Sequence, residues 1–323
     1  MDDALVPGLQ IAVIKNGRVQ VQSFGVADVQ SGARVTENTV FVAVSIGKPV
    51  LAYGVLKLAS EGRIDLGEPI GTYLPGQKDG TEKLTARQLL SHTSGLPPDS
   101  REGFEPLGER RFSYSGEGIN LLQQVVEKIS GQPLHDYMSA TVFGPLGMRS
   151  SSFVWRDDYA ARKAFGHSFT RASAARNRIT QARAASSLET TAEDYARFLI
   201  AAVEGKGLKP SIARQFLQPQ VRLEEGCVVC VGRPRGKPSN LYWGLGIGLA
   251  NEGGRTFAWH WGDNNTMQSY AAIQSDARLG VIILTNSANG HSIARGIAAK
   301  ILGFDPPGYA WSAAYGSYTD PDR

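Results

Sequence analysis

Apolar and polar positions alternate along the first forty residues of the chain, a period typical of β-strands with one buried face. The segments "GLQIAVIKNG" and "RVQVQSFGVAD" both show this alternation, and the pair Asn16-Gly17 separates them. Asn-Gly favours a two-residue turn because both positions tolerate positive φ. We therefore predict a β-hairpin at the start of the chain.

The period then changes to one of three or four residues, which predicts helices. The first ends near Glu61-Gly62, and a second covers residues 117–130. A third follows Thr191 and Asp194, whose spacing is a weak, Asp-ended form of the capping box. Apolar stripes support all three: Leu51, Val55 and Leu58, then Ile119, Leu122, Val126 and Ile129, then Tyr195, Phe198 and Leu199.

Strand patterns return after about residue 240, in "YWGLGIGLA", "RTFAWHWG", "MQSYAAIQ" and "GVIILTN", and the helix "HSIARGIAAKILG" follows. Strands at both ends with helices between them predict an α/β (α+β) fold in which one antiparallel sheet is built from the N- and C-terminal segments and flanked by helices. We expect a single domain over 1–323. Its α/β region covers about 1–60 and 240–304, its mainly helical region about 61–239, and its irregular tail 305–323.

The net charge of +4, from 34 basic and 30 acidic residues, is too small to indicate nucleic-acid binding. The basic excess is local, however, because the segment 155–185 carries seven Arg and Lys residues against two Asp residues. This segment is either a solvated loop or lid, or a rim that attracts anionic substrates. Its cations are Arg156, Arg162, Lys163, Arg171, Arg176, Arg178 and Arg183.

Two cysteines, Cys227 and Cys230, form a CxxC pair in "GCVVCVG". No histidine lies near them in the sequence, which argues against a zinc site, and a redox pair usually opens a helix. Two ordinary thiols or a structural disulfide are the favoured interpretations, with redox chemistry as the alternative.

No apolar run approaches the roughly 18–20 residues that a membrane-spanning helix needs. The acidic start "MDD" lacks the pattern of a secretory signal, but since such signals are removed, the compartment stays open. The chain also contains no GxSxG, HExxH, Walker or GxGxxG motif in the required context, so metal and nucleotide chemistry have no support.

The segment "FVAVSIGKPV" carries the candidate chemistry. Pro49 is tolerated only in the first turn of a helix, so the helix begins close to Ser45. Residues three apart share a helix face, which brings Ser45 and Lys48 together near the positive end of the helix dipole. A serine needs a neighbouring base to act as a nucleophile, and a buried lysine can be that base. The alternative is that Ser45 caps the helix and Lys48 is an exposed first-turn residue.

The chain resembles the SxxK serine hydrolases from about Gly8 to about Gly303. This group includes class C β-lactamases, low-molecular-weight penicillin-binding proteins, β-lactamase-like esterases and D-aminopeptidases. The resemblance rests on segments in the family's order: "SIGKPV", "LASEGRIDLGEPIGTYLP", "LTARQLLSHTSGLP", "FSYSGEGINLLQQVVEKISGQPLHDYMSATVFGPLGM", "TTAEDYARFL" and "HWGDN". It implies a β-lactamase/penicillin-binding-like fold, a small-molecule ester, amide or β-lactam as substrate, and no cofactor or metal.

The resemblance also implies site residues. Ser45 matches the nucleophile, Lys48 its partner, and Tyr114 the tyrosine of the Tyr-x-Asn element, which passes protons to the leaving group. His260 in "HWG" matches the first position of the Lys/His-x-Gly element, with Trp261 and Gly262 completing it. Backbone N–H groups of Ser45 and Asp263 match the oxyanion hole.

Two departures from the family pattern direct the functional prediction. Gly116 replaces the asparagine of Tyr-x-Asn, and His260 stands where many members have lysine, so polar contacts used in β-lactam hydrolysis are missing. We expect an esterase acting on small acyl esters through an acyl-enzyme. The alternatives are a D-amino-acid peptidase (D-Ala-D-Ala carboxypeptidase) or weak β-lactamase, and a non-catalytic penicillin-binding sensor that is acylated without turnover. The Asp263 carboxylate would oppose an oxyanion, so we expect it to turn outward and to be hydrogen-bonded.

Overall fold

An eight-stranded antiparallel sheet forms the frame of the molecule. The computed structural model describes residues 1–77, 80–98, 111–175, 178–230 and 233–312. The strands are β1 Gly8–Lys15, β2 Arg18–Gly25, β3 Phe41–Val44, β4 Leu188–Thr190, β5 Val221–Glu224, β6 Pro238–Trp243, β7 Gly248–Glu252, β8 Arg255–Asp263, β9 Gln268–Gln274 and β10 Leu279–Thr285. Their order in the large sheet is β2-β1-β10-β9-β8-β7-β6-β5, and β3 and β4 pair as a separate two-stranded sheet.

The predicted hairpin is confirmed, since β1 and β2 pair in register around Asn16-Gly17. Both turn residues have positive φ, 50° and 73°, as a tight hairpin turn requires. β1 also pairs with β10, with Ile11 opposite Ile283, which joins the two ends of the chain in one sheet as predicted.

Helices pack on both faces of the sheet, and most of them lie in sequence between β3 and β5. They are α1 Gly47–Glu61, α2 Ala86–Leu90, α3 Gly116–Ser130, α4 Leu134–Met138, α5 Gly144–Leu146, α6 Ala192–Glu204, α7 Pro210–Phe216, α8 Gly290–Leu302 and α9 Tyr309–Ser312. α1 is buried on nearly all sides and ends at Gly62 in the left-handed conformation, as its sequence predicts. It is therefore a rigid central support for the residues at its N-terminus.

The weak capping box of α6 is only half formed. Thr191 caps the helix by accepting a hydrogen bond from the Asp194 N–H. The Asp194 carboxylate instead accepts a 2.7 Å hydrogen bond from the Ser150 N–H, which joins α6 to the segment before β4.

Three expectations about element bounds need correction. "YWGLGIGLA" is not one strand, because it turns between β6 and β7 where Gly246 takes a φ of 81°. β5 extends the sheet into the segment predicted as helical, since its partner β6 offers a free edge. In the tail, Tyr309–Ser312 is helical, packed on the sheet through the buried Trp311, and residues 313–323 lie outside the described residues. Within the described ranges no helix is long and apolar enough to span a membrane.

Candidate active site

The turn from β3 into α1 positions Ser45. Val44, the residue before it, has a φ of 54°, which is rare for a β-branched side chain and stores strain. The residue that caps α1 is Ile46, and its side chain makes no capping bond. The Ser45 hydroxyl is therefore not a helix cap, and it accepts a 2.9 Å hydrogen bond from Lys48 Nζ instead. The capping alternative for this pair is wrong.

Lys48 is buried, with 2% of its surface exposed, so the alternative of an exposed lysine is also wrong. Its Nζ donates a second hydrogen bond, of 2.7 Å, to the Ala185 carbonyl. Gln123 of α3 fixes this wall of the site by bonding to Ala182 O and Ala184 N. Burial lowers the pKa of Lys48 to about 7, so a large fraction of the amine is neutral at neutral pH.

Tyr114 covers Lys48, with Nζ 4.8 Å from the centroid of its ring. Burial raises the pKa of Tyr114, opposed by its contact with Ser45, so the phenol keeps its proton at neutral pH. The predicted residues Ser45, Lys48 and Tyr114 thus lie together, although they come from separate parts of the chain.

The CxxC segment holds Tyr114 in place. Cys227 and Cys230 form a disulfide, which is one of the two interpretations favoured by the sequence. The Val228 carbonyl, inside this loop, accepts a 2.9 Å hydrogen bond from Tyr114 N, and Cys230 N donates to Ser113 Oγ at 3.1 Å. Such a loop is a structural clamp on the tyrosine segment.

His92 belongs to this site and was missed by the sequence analysis. It is fully buried, its φ is 54°, and its ring lies 4.5 Å from that of Tyr114. Its Nδ1 accepts the Ser115 N–H at 3.2 Å, so the neutral ring carries its proton on Nε2. Burial, then the charges of Lys48 and His260, hold its pKa well below the usual range. The motif "SHTSG" was the available signal, but only the fold brings it beside Tyr114.

His260 on β8 faces the same cluster. Its Nδ1 donates to the Trp261 carbonyl at 2.7 Å, which leaves Nε2 as an acceptor. Burial, and then the charge of Lys48, lower the pKa of His260 to about 3, so the ring is neutral where a lysine would be charged. Trp243 packs between the two histidines, 5.3 Å from each ring.

Four polar atoms of this cluster are buried without a hydrogen-bond partner among the described residues. They are Tyr114 Oη, His92 Nε2, His260 Nε2 and Trp243 Nε1. Buried polar groups are normally paired, so unpaired ones beside a nucleophile mark where polar atoms of a ligand can bind. The four include donors and an acceptor, which suits a carbonyl and a hydroxyl better than a charged group.

The end of β8 approaches the nucleophile through Gly262. A Cβ on this residue would lie 2.6 Å from Ala43 O and 2.9 Å from Ser45 N, so only glycine fits. His291 at the start of α8 supports the strand, because its Nε2 donates to Gly262 O at 3.1 Å. Trp261, beside Gly262, packs 5.2 Å from the Tyr114 ring.

Asp263 follows Gly262, and its carboxylate is hydrogen-bonded as expected. It accepts from Asn265 N at 2.7 Å and from Gln268 Nε2 at 2.8 Å. Gln268 Oε1 in turn accepts from His291 N at 2.6 Å. The Asp263 carboxylate is therefore bonded within the β8–β9 turn. The Ser45 N–H, in contrast, makes no hydrogen bond within the described ranges.

Gly116 begins α3 where the related motif has asparagine. Gly116 N donates to Pro98 O at 3.0 Å, and a Cβ added to this glycine would lie only 2.6 Å from the same oxygen. The missing side chain is thus a steric requirement of the local backbone of this chain at Pro98.

Comparisons with known proteins identify relatives of the chain. Residues 1–303 match the sequence model of the family described as "Beta-lactamase". "Esterase EstB" of Burkholderia gladioli is 32% identical over 166 residues, covering 40% of this chain and 42% of that protein. "Putative penicillin-binding protein PbpX" of Bacillus subtilis (strain 168) is 27% identical over 157 residues, covering 44% of this chain and 40% of the relative. The matched parts span about two fifths of the length of these relatives.

Solved structures show the same fold. A "Beta-Lactamase/D-Alanine Carboxypeptidase" from Pseudomonas syringae superposes with a TM-score of 0.78 at 20% identity, covering 94% of this chain and 95% of that one. The octameric penicillin-binding protein homologue from Pyrococcus abyssi gives a TM-score of 0.79 at 22% identity, covering 95% of this chain and 76% of that one. The predicted β-lactamase/penicillin-binding-like fold is confirmed.

Proposed function

The chain belongs to the Beta-lactamase family of serine hydrolases, and we propose that it hydrolyses small acyl esters through an acyl-enzyme on Ser45. One observation carries the proposal. Lys48 Nζ lies 2.9 Å from Ser45 Oγ, and its pKa is lowered to about 7. A neutral amine at this distance can accept the hydroxyl proton as the oxygen attacks a carbonyl.

The reaction proceeds in two steps. Ser45 Oγ bonds to the ester carbonyl carbon, its proton passes to Lys48, and the carbonyl oxygen takes up negative charge at the N–H groups of Ser45 and Asp263. The bond to the leaving alcohol then breaks as Tyr114 gives its proton to that oxygen, and the Lys48 ammonium returns a proton to Tyr114, which leaves Lys48 neutral again. In the second step water attacks the acyl group and gives a proton to Lys48, directly or through Tyr114. Lys48 returns this proton to Ser45 Oγ as the bond between the acyl group and the serine breaks, which releases the acid and restores the Ser45 hydroxyl.

An ester suits the site better than a peptide or a β-lactam. Gly116 supplies no side chain to hold an amide, and the neutral His260 supplies no cation at the position where many relatives have lysine. The sequence similarity to a protein named as an esterase supports the same choice.

The proposal is tested with three substrates and intact-mass readout: p-nitrophenyl butyrate, a chromogenic cephalosporin and a D-Ala-D-Ala peptide. We expect steady release of p-nitrophenol and a transient butyryl adduct of the protein. Ser45→Ala abolishes both, whereas Ser211→Ala, an exposed serine on α7, leaves them unchanged.

The other outcomes separate the competing functions. If the peptide is hydrolysed faster than the ester, the protein is a D-peptidase rather than an esterase. If the cephalosporin is hydrolysed faster, it is a β-lactamase. A persistent adduct without turnover would make the protein an acylated sensor. Ester turnover that survives Ser45→Ala would contradict the assignment of the nucleophile.

A further inference from the structure

A cavity of about 550 Å³ is lined by residues from the chain segments that also carry the reaction centre. Three of the residues that line it are chain neighbours of the reacting groups. Val42 lies on β3, three residues before Ser45, Asn264 follows Asp263, and Ser186 follows Ala185, the acceptor of the Lys48 hydrogen bond. The cavity and the reaction centre are therefore built on the same three chain segments. We call this cavity the arginine pocket, after Arg178 and Arg183, which line it.

The basic segment 155–185 forms much of the wall, and most of its described cations are neutralised by carboxylates. These pairs are Arg156 and Arg162 with Asp158, Lys163 with Glu189, and Arg171 with Asp2, while Arg176 lies outside the described residues. Arg178 and Arg183 make no ion pair with a described residue, and both are exposed. The excess positive charge of the segment is thus concentrated at the pocket.

Several side chains of the pocket offer hydrogen-bond donors to a ligand. The Arg178 guanidinium lies 5.0 Å from the centroid of the Trp155 ring, which holds it by a cation–π contact. Asn264 Oδ1 accepts hydrogen bonds from Thr266 N and Met267 N, so the turn uses its acceptor and its NH₂ group remains for a ligand. No acidic residue is found among the described residues that line the cavity. Two guanidinium groups and an amide NH₂ match an anion.

We infer that the arginine pocket binds an anionic group, of carboxylate type, on the acyl part of the substrate. This inference rests on the proposed esterase function and names its substrate class. The acyl side is indicated because Tyr114, which protonates the leaving alcohol, does not line the pocket, whereas Val42 on the strand that leads to Ser45 and Asn264 next to Asp263 do. The reaction releases the alcohol and a dicarboxylic acid.

The test compares esters that differ only in terminal charge. p-Nitrophenyl hydrogen adipate carries a free carboxylate, p-nitrophenyl methyl adipate is its neutral counterpart, and the pimelate and suberate pairs vary the reach. An ester of 4-trimethylammoniobutyrate carries the opposite charge. The readout is the ratio of kcat/KM for each anionic ester to that of its neutral counterpart.

We expect the best anionic ester to be preferred and the cationic ester to be the poorest. Arg178→Gln and Arg183→Gln each lower the charge ratio by about threefold to tenfold, mainly through KM, because each removes one exposed charge contact. The double variant loses the preference and accepts the cationic ester. Arg18→Gln, which removes an equal charge from the exposed hairpin end of β2, leaves the ratio unchanged.

The outcomes distinguish this inference from the proposed function. Turnover of neither ester would contradict the esterase proposal itself. Turnover of the neutral esters with no anionic preference at any length, or a preference that survives in the double variant, would overturn the pocket assignment and leave the esterase proposal standing.

Discussion

The reaction centre and the arginine pocket are built on the same chain segments, yet their basic side chains lie in opposite environments. In the reaction centre Lys48, His92 and His260 are 2% exposed or less, and burial lowers the pKa of each of them. In the pocket the side chains of Arg178 and Arg183 are exposed. A base must lose its proton before it can accept one, so desolvation helps it. Recognition of an anion needs a permanent charge, which exposure to solvent maintains.

Lys48→Met tests the role of the buried base in the reaction centre, and it has the largest expected effect on kcat/KM. Loss of the base lowers kcat/KM for p-nitrophenyl butyrate by about 10³-fold or more. Lowering the pKa of Lys48 from 10.5 to about 7 costs roughly 4 kcal/mol, more than the roughly 1 kcal/mol from its hydrogen bond to Ala185. The variant is therefore more stable to urea at pH 7, although it is inactive.

The matched control is Lys57→Met, since Lys57 is on the same helix and bonds at the surface to Gly207 O. It keeps activity and gains no comparable stability. A Lys48→Met variant that is both inactive and less stable than the wild type would contradict the lowered pKa.

The pH dependence follows from the same group. The unfolded chain binds a proton at Lys48 up to about pH 10.5, whereas the folded protein releases it near 7. The stability of the wild type relative to Lys48→Met therefore rises from about pH 7 to about pH 10.5. Activity rises through about pH 7, because only the neutral amine is a base. A kcat/KM profile that is flat between pH 6 and 8 would exclude Lys48 as that base.

Tyr114→Phe keeps the ring against Lys48 but removes the hydroxyl that protonates the leaving group. We expect a loss of about 10²-fold in kcat/KM. The loss should be smaller for p-nitrophenyl esters, whose leaving group needs no proton, than for ethyl esters. Tyr242→Phe is the control, because Tyr242 packs on Arg222 away from the site. Equal losses for both leaving groups would assign Tyr114 another role.

Gly116→Asn tests whether restoring the related motif restores β-lactam hydrolysis. The new Cβ would lie 2.6 Å from Pro98 O, so we expect a loss of about 1–3 kcal/mol in unfolding free energy and no gain of cephalosporin turnover. Gly116→Ala should lose as much, since the Cβ causes the conflict. Gly296→Ala on α8 is the control, because its Cβ would meet no atom within 4 Å and should stabilise the helix. Rapid cephalosporin turnover by Gly116→Asn would show that only the asparagine was missing.

These residues differ in how far the sequence could predict them. Ser45, Lys48 and Pro49 lie within one helical turn, so local rules place the nucleophile beside its base. The support from His92 and His291 depends on long-range packing, which no local pattern encodes. The hairpin at Asn16-Gly17 was predictable from turn chemistry, whereas β5 needed a partner strand to be recognised.

The basic segment shows the same limit. Its excess of positive charge is visible in the sequence, but the sequence does not show which of its cations are paired with carboxylates. Lys163 also lines the pocket, but the fold pairs it with the buried Glu189, whereas Arg178 and Arg183 line the pocket without an ion pair to a described residue.

A change of ionic strength has the smallest expected effect on kcat/KM. It distinguishes the exposed charges of the pocket from the buried groups of the reaction centre without a mutation. Raising NaCl from 20 to 500 mM shortens the Debye length from about 20 Å to about 4 Å, which screens exposed charges far more than buried ones. The preference for anionic over neutral adipate esters should therefore fall by about threefold, while kcat/KM for the neutral ester stays nearly constant. In the Arg178→Gln/Arg183→Gln variant the ratio should no longer respond to salt. An equal decline for both esters would mean that salt acts on the reaction centre, and the contrast between a buried neutral centre and an exposed charged pocket would fail.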